Sequence, residues 1–229
     1  MIPVVDLILV RHAQCQAQVD PGLLGDHDSE LTDFGRRQAH ALASSLRESR
    51  FEPPGHIWSS PLVRALDTAI PTAQALGLSI HVHPDLREAQ PSRGLSGRGR
   101  RELSRRHDHL SFDTAVGDDG WEHGDASYEA MTARADRFLL NARQELGPEA
   151  RVVLFTHGAF GGFLISAAVG VPPTTPSWFV LDNASVSVLR LPEPGGPGFG
   201  MFPPHRAQIL AVNDVEHLPR DLRTTDPLD

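Results

Sequence analysis

A single cysteine, Cys15, stands in the whole chain, which excludes an internal disulfide and a metal site built on cysteines. Positive charge is in deficit as well. The formal net charge is −8 at pH 7 and neither terminus carries a basic tail, so a nucleic-acid backbone would meet no positive face, and no nucleic-acid partner is expected. Long apolar runs are missing. The opening MIPVVDLILV is broken by Asp6 and is too short for a membrane span or a secretory leader. No membrane association is expected, and the expected compartment is the cytoplasm. No segment repeats at solenoid spacing, and nothing in the composition specifies an oligomeric state. What remains is 229 residues, 40% hydrophobic and 22% charged, the composition of an ordinary soluble chain that one large core can organise.

Apolar runs of strand length alternate with segments of helical period. Val4–Val10 reads as a buried strand. After Thr32, an N-cap residue type, Phe34, Ala41, Leu42 and Leu46 have helical spacing. Ile57 and Trp58 suggest a short strand, and Leu62, Ala65, Leu66, Ala69, Ala73 and Leu76 form one face of a helix closed by Gly77. Ile80–Val82 is a weaker strand signal. Tyr128 to Leu146 traces a long helix ending at Gly147, Arg151–His157 a second buried strand, and Gly158–Val169 a covered helix. Ala184–Leu189 and Gln208–Val212 read as closing strands joined by a Pro/Gly-rich loop. This order predicts an α/β fold, a three-layer α/β/α sandwich with a mainly parallel central sheet. Residues 1–218 are expected to form one domain with a cap-like insertion at about 89–126, and 219–229 a loose polar tail.

In such a sheet, ligands bind beyond the carboxyl ends of the strands. Arg11 and His12 follow the first strand directly. SSPLVRALDTA puts Ser59, Ser60 and Arg64 at a second strand-to-helix junction, and LFTHGAF puts His157 and Gly158 at a third. Two guanidinium groups offer forked donors that match phosphate oxygens, and an imidazole can add a further donor. The start of the helix after His157 offers backbone N–H groups to an anion. A second imidazole can attack phosphorus and form a phosphohistidine that water then hydrolyses.

The set LVRHAQ, SSPLVRALDTA, LRE (Leu86–Glu88) and FTHGAF resembles the histidine phosphatase superfamily, the phosphoglycerate mutase-like proteins, in order and approximate spacing over residues 4 to 190. ELTDFGRRQA and DNASVSVL look like two further family segments. The resemblance implies that His12 is the phosphorylated nucleophile, that Arg11, Arg64, His157 and Gly158 bind phosphate, and that Glu88 is general acid and then base. It implies a phosphorylated small-molecule substrate and no cofactor or metal. Two departures stand out: Ala13 replaces a familiar glycine, and the His-Tyr-Gly that follows the acid in the family's mutases is replaced by EAQPSRGLSGRGRR. The second favours a phosphatase over a mutase. Gln14 and, in the arginine-rich segment, Arg93, Arg98, Arg100 and Arg101 are expected to face the substrate, the arginines meeting a second anionic group. The alternatives are a mutase-type phosphotransferase, an inactive phosphate-ligand binder, or a metal-dependent hydrolase using HVHPD, whose alternate residues share one strand face.

Overall fold

A computed structural model describes residues 4–23, 28–48, 53–89, 95–122, 124–171, 179–192 and 207–224. Arg93, residues 193–206 of the Pro/Gly-rich loop and the last five residues lie outside that set. No described helix is long and apolar enough to cross a membrane.

The alternation within β1 (Val4–Arg11) explains its position. Val5, Leu7 and Leu9 enter one core cluster and Ile8 and Val10 another, so both faces need cover, as in the middle of a parallel α/β sheet. β7 (Arg151–Thr156) divides in the same way: Val152 and Leu154 point to the first cluster, Val153 and Phe155 to the second. Between these two in sequence come β2 (His56–Ser59), β3 (Ile80–Val82), β4 (Leu95–Ser96), β5 (Leu110–Phe112) and β6 (Trp121–Glu122). β8 (Val186–Pro192) and β9 (Gln208–Asp214) follow. The main sheet has the order β5-β3-β2-β7-β1-β8-β9. Six of its strands run one way and β8 runs against them. This is the mainly parallel three-layer sandwich that the periodicity predicts.

The helices are α1 (Gln16–Val19), α2 (Asp33–Glu48), α3 (Val63–Leu76), α4 (Arg100–Leu103), α5 (Tyr128–Leu146) and α6 (Gly158–Val169). α5 and α6 supply the first core cluster, α3 and Leu42 of α2 the second. Asp6, 5% exposed within β1, is answered by the guanidinium fork of Arg190 at 2.7 and 2.9 Å, the bidentate geometry that a buried carboxylate requires.

Two segments behave differently from the expectation. Part of the insertion joins the body of the fold: β5 extends the main sheet beside β3, and Leu103, Val116 and Trp121 are buried in the second cluster. The start of the expected tail is packed. Arg220–Leu222 forms a 3-10 turn, Leu218 and Leu222 are buried with Ala13 and Cys15, and Gln38 Nε2 donates to the Leu222 carbonyl at 2.8 Å. Two leucines four residues apart are enough to hold a short polar stretch against α2 when a buried amide also needs an acceptor.

Candidate active site

Register alone brings the chemistry-bearing strand ends together. Arg11 pairs with Thr156, and Ser59 lies between Phe155 and Val82, so the chain leaves β1, β2, β3 and β7 at one edge. His12 is 4% exposed and His157 fully buried, with ring centroids 5.1 Å apart.

Each imidazole has one nitrogen fixed by its surroundings. His12 Nδ1 lies 2.7 Å from the Ala13 carbonyl oxygen, a contact only an N–H can make, so the neutral ring carries its lone pair on Nε2. Arg64, which can only donate, contacts that lone pair through Nε at 3.1 Å. For His157, Nε2 lies 2.8 Å from Ser60 Oγ. That hydroxyl also accepts from Leu62 N at 3.2 Å; when it gives its own hydrogen to Nε2, the ring proton lies on Nδ1. Nδ1 is buried and has no partner among the described residues. With the ring proton there, it is a buried donor that an anion would answer. Burial, then Arg64 and Arg11, holds the His12 pKa well below the usual imidazole range; burial, then Arg64, His12, Arg134 and Arg11, does the same for His157.

The backbone around His12 is held from three sides. Ala13 N donates to Thr68 Oγ1 at 3.0 Å, Gln14 N to Gln38 Oε1 at 2.9 Å, and Asn183 Nδ2 to the His12 carbonyl at 3.0 Å. Ala13 is not among the residues with positive φ, so its methyl needs no glycine conformation, and the methyl is itself buried. Gln14 Oε1 accepts from Thr32 Oγ1 at 2.9 Å, which ties the side chain to the start of α2.

Two helices that begin at this edge lack a capping side chain of their own, and carboxylates from distant loops take that place. Asp28 Oδ1 accepts from Val63 N at the start of α3 at 2.6 Å. Glu88 Oε1 accepts from Phe160 N at 3.0 Å and from its neighbour Ala89 N at 2.7 Å, while Oε2 has Ala159 N at 3.4 Å. The first-turn donors of α6, expected to meet phosphate, are therefore in part occupied by Glu88. Gly158 has a second use: a Cβ there would sit 3.3 Å from Arg11 Nε, so glycine clears space for a guanidinium that also donates to the Leu181 carbonyl.

The chain contains no lysine; all 21 basic residues are arginine, and Arg98, Arg100, Arg101 and Arg106 of the insertion have partners other than these histidines. Arg98 pairs with Asp28 at 3.5 Å and Glu102 at 3.3 Å. Arg100 donates to the Val116 and Asp113 carbonyls, and exposed Arg101 pairs with Asp118 and Asp119. His81 and His83 stack around Trp58, and among the described residues no three His, Cys, Asp or Glu converge as metal ligands. Sequence reasoning placed Ser60 at this edge without a role and missed Thr68, Asp28 and Asn183 as supports of the site. Ser60 and Thr68 lie inside a motif already singled out, and Asn183 inside DNASVSVL.

Comparison with known proteins gives the family and the fold. The family model of the histidine phosphatase superfamily (branch 1) matches residues 7–197. A probable phosphoglycerate mutase, GpmB, of Yersinia enterocolitica is 30% identical over 181 residues, 79% of this chain and 82% of the relative. Among solved structures, mycobacterial glucosyl-3-phosphoglycerate phosphatase with VO3 is 26% identical, with a TM-score of 0.58 over 91% of this chain and 98% of the other. Phosphoserine phosphatase of Entamoeba histolytica, 24% identical with a TM-score of 0.62 over 94% and 100%, shares the fold.

Proposed function

The chain belongs to the histidine phosphatase superfamily, and from that membership we propose that it is a phosphatase that hydrolyses a small phosphate monoester through a phosphohistidine on His12. The observation that carries this reading is the state of His12: a neutral ring with its proton on Nδ1, held by Ala13, and its Nε2 lone pair facing Arg64. A neutral imidazole with a fixed tautomer is ready to attack, and Arg64 can transfer its hydrogen bond from Nε2 to a phosphoryl oxygen as substrate enters.

In this reading Nε2 forms a bond to phosphorus as the ester P–O bond breaks. Arg11, Arg64 and His157 Nδ1–H hold the non-bridging oxygens. The leaving oxygen takes a proton from Glu88, whose Oε2 is the less engaged of its two oxygens, with one contact at 3.4 Å. Water then attacks phosphorus and gives its proton to the Glu88 carboxylate, and the P–N bond breaks to release phosphate. Likeness to a probable mutase supports a second reading, phosphoryl transfer to an alcohol in place of water. The segment after Glu88 and the engagement of its arginines elsewhere favour water.

The test is a quench experiment with a labelled phosphate monoester. The parent enzyme is expected to accumulate an acid-labile, base-stable phosphoenzyme and to release inorganic phosphate, and His12→Ala to do neither. Turnover by His12→Ala above about a hundredth of the parent rate would assign the attack on phosphorus to another group, because general acid and electrostatic help without the nucleophile cannot sustain it. A phosphoenzyme discharged by phosphoglycerate faster than by water would favour the mutase reading.

A further inference from the structure

Arg134 of α5 is only 2% exposed. Its Nη2 donates to the Arg87 carbonyl at 3.0 Å, and its Cζ lies 3.8 Å from the centroid of the Phe160 ring. Nε and Nη1 are buried without a hydrogen-bond partner among the described residues. Burial, then the charge of Arg87, lowers its pKa to about 9, so it is still a cation at neutral pH. A buried cation with unanswered donors costs stability, and a leucine or methionine would fill the same space better. Packing is therefore a poor account of it.

Its two partners have one thing in common: each controls Glu88. Arg87 supplies the peptide group that leads into Glu88, and Phe160 supplies the N–H that holds Glu88 Oε1 at 3.0 Å. The LRE loop has another tether at Leu86, whose carbonyl accepts from Thr156 Oγ1 at 2.8 Å. Arg134 thus clamps the chain entering Glu88 to the helix start that receives its carboxylate, and its charge lies within electrostatic reach of that carboxylate.

We propose that Arg134 is a positioning residue for Glu88, holding its carboxylate toward the leaving oxygen and balancing the negative charge left there when the proton departs. The inference rests on the acid role given to Glu88 above. Its signature is a dependence on the leaving group. An alkyl phosphate needs the proton, whereas an aryl phosphate, with a more acidic leaving group, needs it much less.

The experiment measures single-turnover phosphorylation with an alkyl and an aryl phosphate in Glu88→Gln, Arg134→Met, Arg134→Lys and the Glu88→Gln/Arg134→Met double variant. Arg134→Met is expected to slow the alkyl ester about tenfold more than the aryl ester, a part of the general-acid effect. The double variant should be no slower on the alkyl ester than Glu88→Gln alone, because residues acting as a unit are not additive. Arg134→Lys, which keeps the charge, should recover part of the selectivity. Equal slowing of both esters by Arg134→Met, or full additivity in the double variant, would overturn the inference while leaving Glu88 as the acid. If Arg134→Met does not fold, Phe160→Leu removes the stacked ring but keeps the amide and should show the same selectivity in smaller measure; without it the inference fails. A Glu88→Gln enzyme indifferent to the leaving group would overturn the acid role itself, and this inference with it.

Discussion

Gly35→Ala opposes two effects of opposite sign. Gly35 lies in the first turn of α2, where its N–H donates to Thr32 Oγ1 at 2.9 Å. By helix propensity alone, alanine should stabilise such a position by about 1 kcal/mol. However, a Cβ built at Gly35 would lie 2.0 Å from the Gln14 carbonyl oxygen and 3.1 Å from Gln14 N. Carbon–oxygen contacts settle near 3.3 Å or more, so the helix and the His12–Gln14 strap must separate by about 1 Å. Overpacking of this order costs about 1–3 kcal/mol, and here the obstruction is backbone with no rotamer to relieve it, which places the cost at or above the top of that range. After the propensity gain, a net loss of about 2 kcal/mol remains, or a Tm lower by about 4–8 °C in a chain of this size. Propensity alone would raise Tm by about 2–4 °C. Because Gln14 is two residues from His12, a displacement of about 1 Å should also lower turnover by about 10²-fold. Scanning calorimetry and turnover of an aryl phosphate read the two effects separately. A Tm at or above that of the parent would refute the steric reasoning.

Acid should weaken the fold. Burial and neighbouring arginines keep His12 and His157 neutral in the native state, whereas the unfolded chain takes up protons as the pH falls below about 6.5. The unfolded state then binds more protons, so stability is lost from that pH downward, by about 1.4 kcal/mol per pH unit for each histidine. Urea denaturation at pH 7.5, 6.5 and 5.5 should show the fall, with His157→Gln making it shallower; a flat profile between pH 6.5 and 5.5 would contradict the assigned neutral state. Ser60→Ala should release Nε2 of His157 and change the balance of its two tautomers, which nitrogen-15 NMR of the imidazole reads directly, and should weaken vanadate binding about tenfold, the loss of one hydrogen bond to a charged group. Unchanged imidazole shifts would remove Ser60 from that role.

Much of the architecture was legible because its signals are local. The two-sided apolar alternation of β1 and β7 marks central strands, and Gly77 closes α3 in the left-handed conformation at φ 67°. The histidines and arginines of the site could be placed because each directly follows such a strand or opens the helix after it. What sequence could not show is pairing across distance. Ser60 and His157 are 97 residues apart, and Asn183 reaches back 171 residues to His12. The arginine-rich segment looked like a patch awaiting an anion because composition does not reveal that Glu30 and Asp67 answer Arg106, or Asp118 and Asp119 answer Arg101. β5 has only three residues, too few for a period to establish itself. Leu218 and Leu222 sit in polar surroundings that gave no hint of a buried turn.

The central place of β1 also governs the order in which the molecule can be made. Its strand is synthesised long before its two neighbours, which begin only at Arg151 and Val186. At cellular elongation rates the interval is on the order of ten seconds or more. Throughout it, VVDLILV is an apolar strand with both edges open, the form most prone to pair with another chain. Closing so distant a contact is also intrinsically slow. His12 stands at the end of that strand, held by Asn183 and facing His157. The chemistry of the site therefore cannot precede the insertion of β1, and in refolding the return of activity marks the moment when this strand finds the partners made long after it.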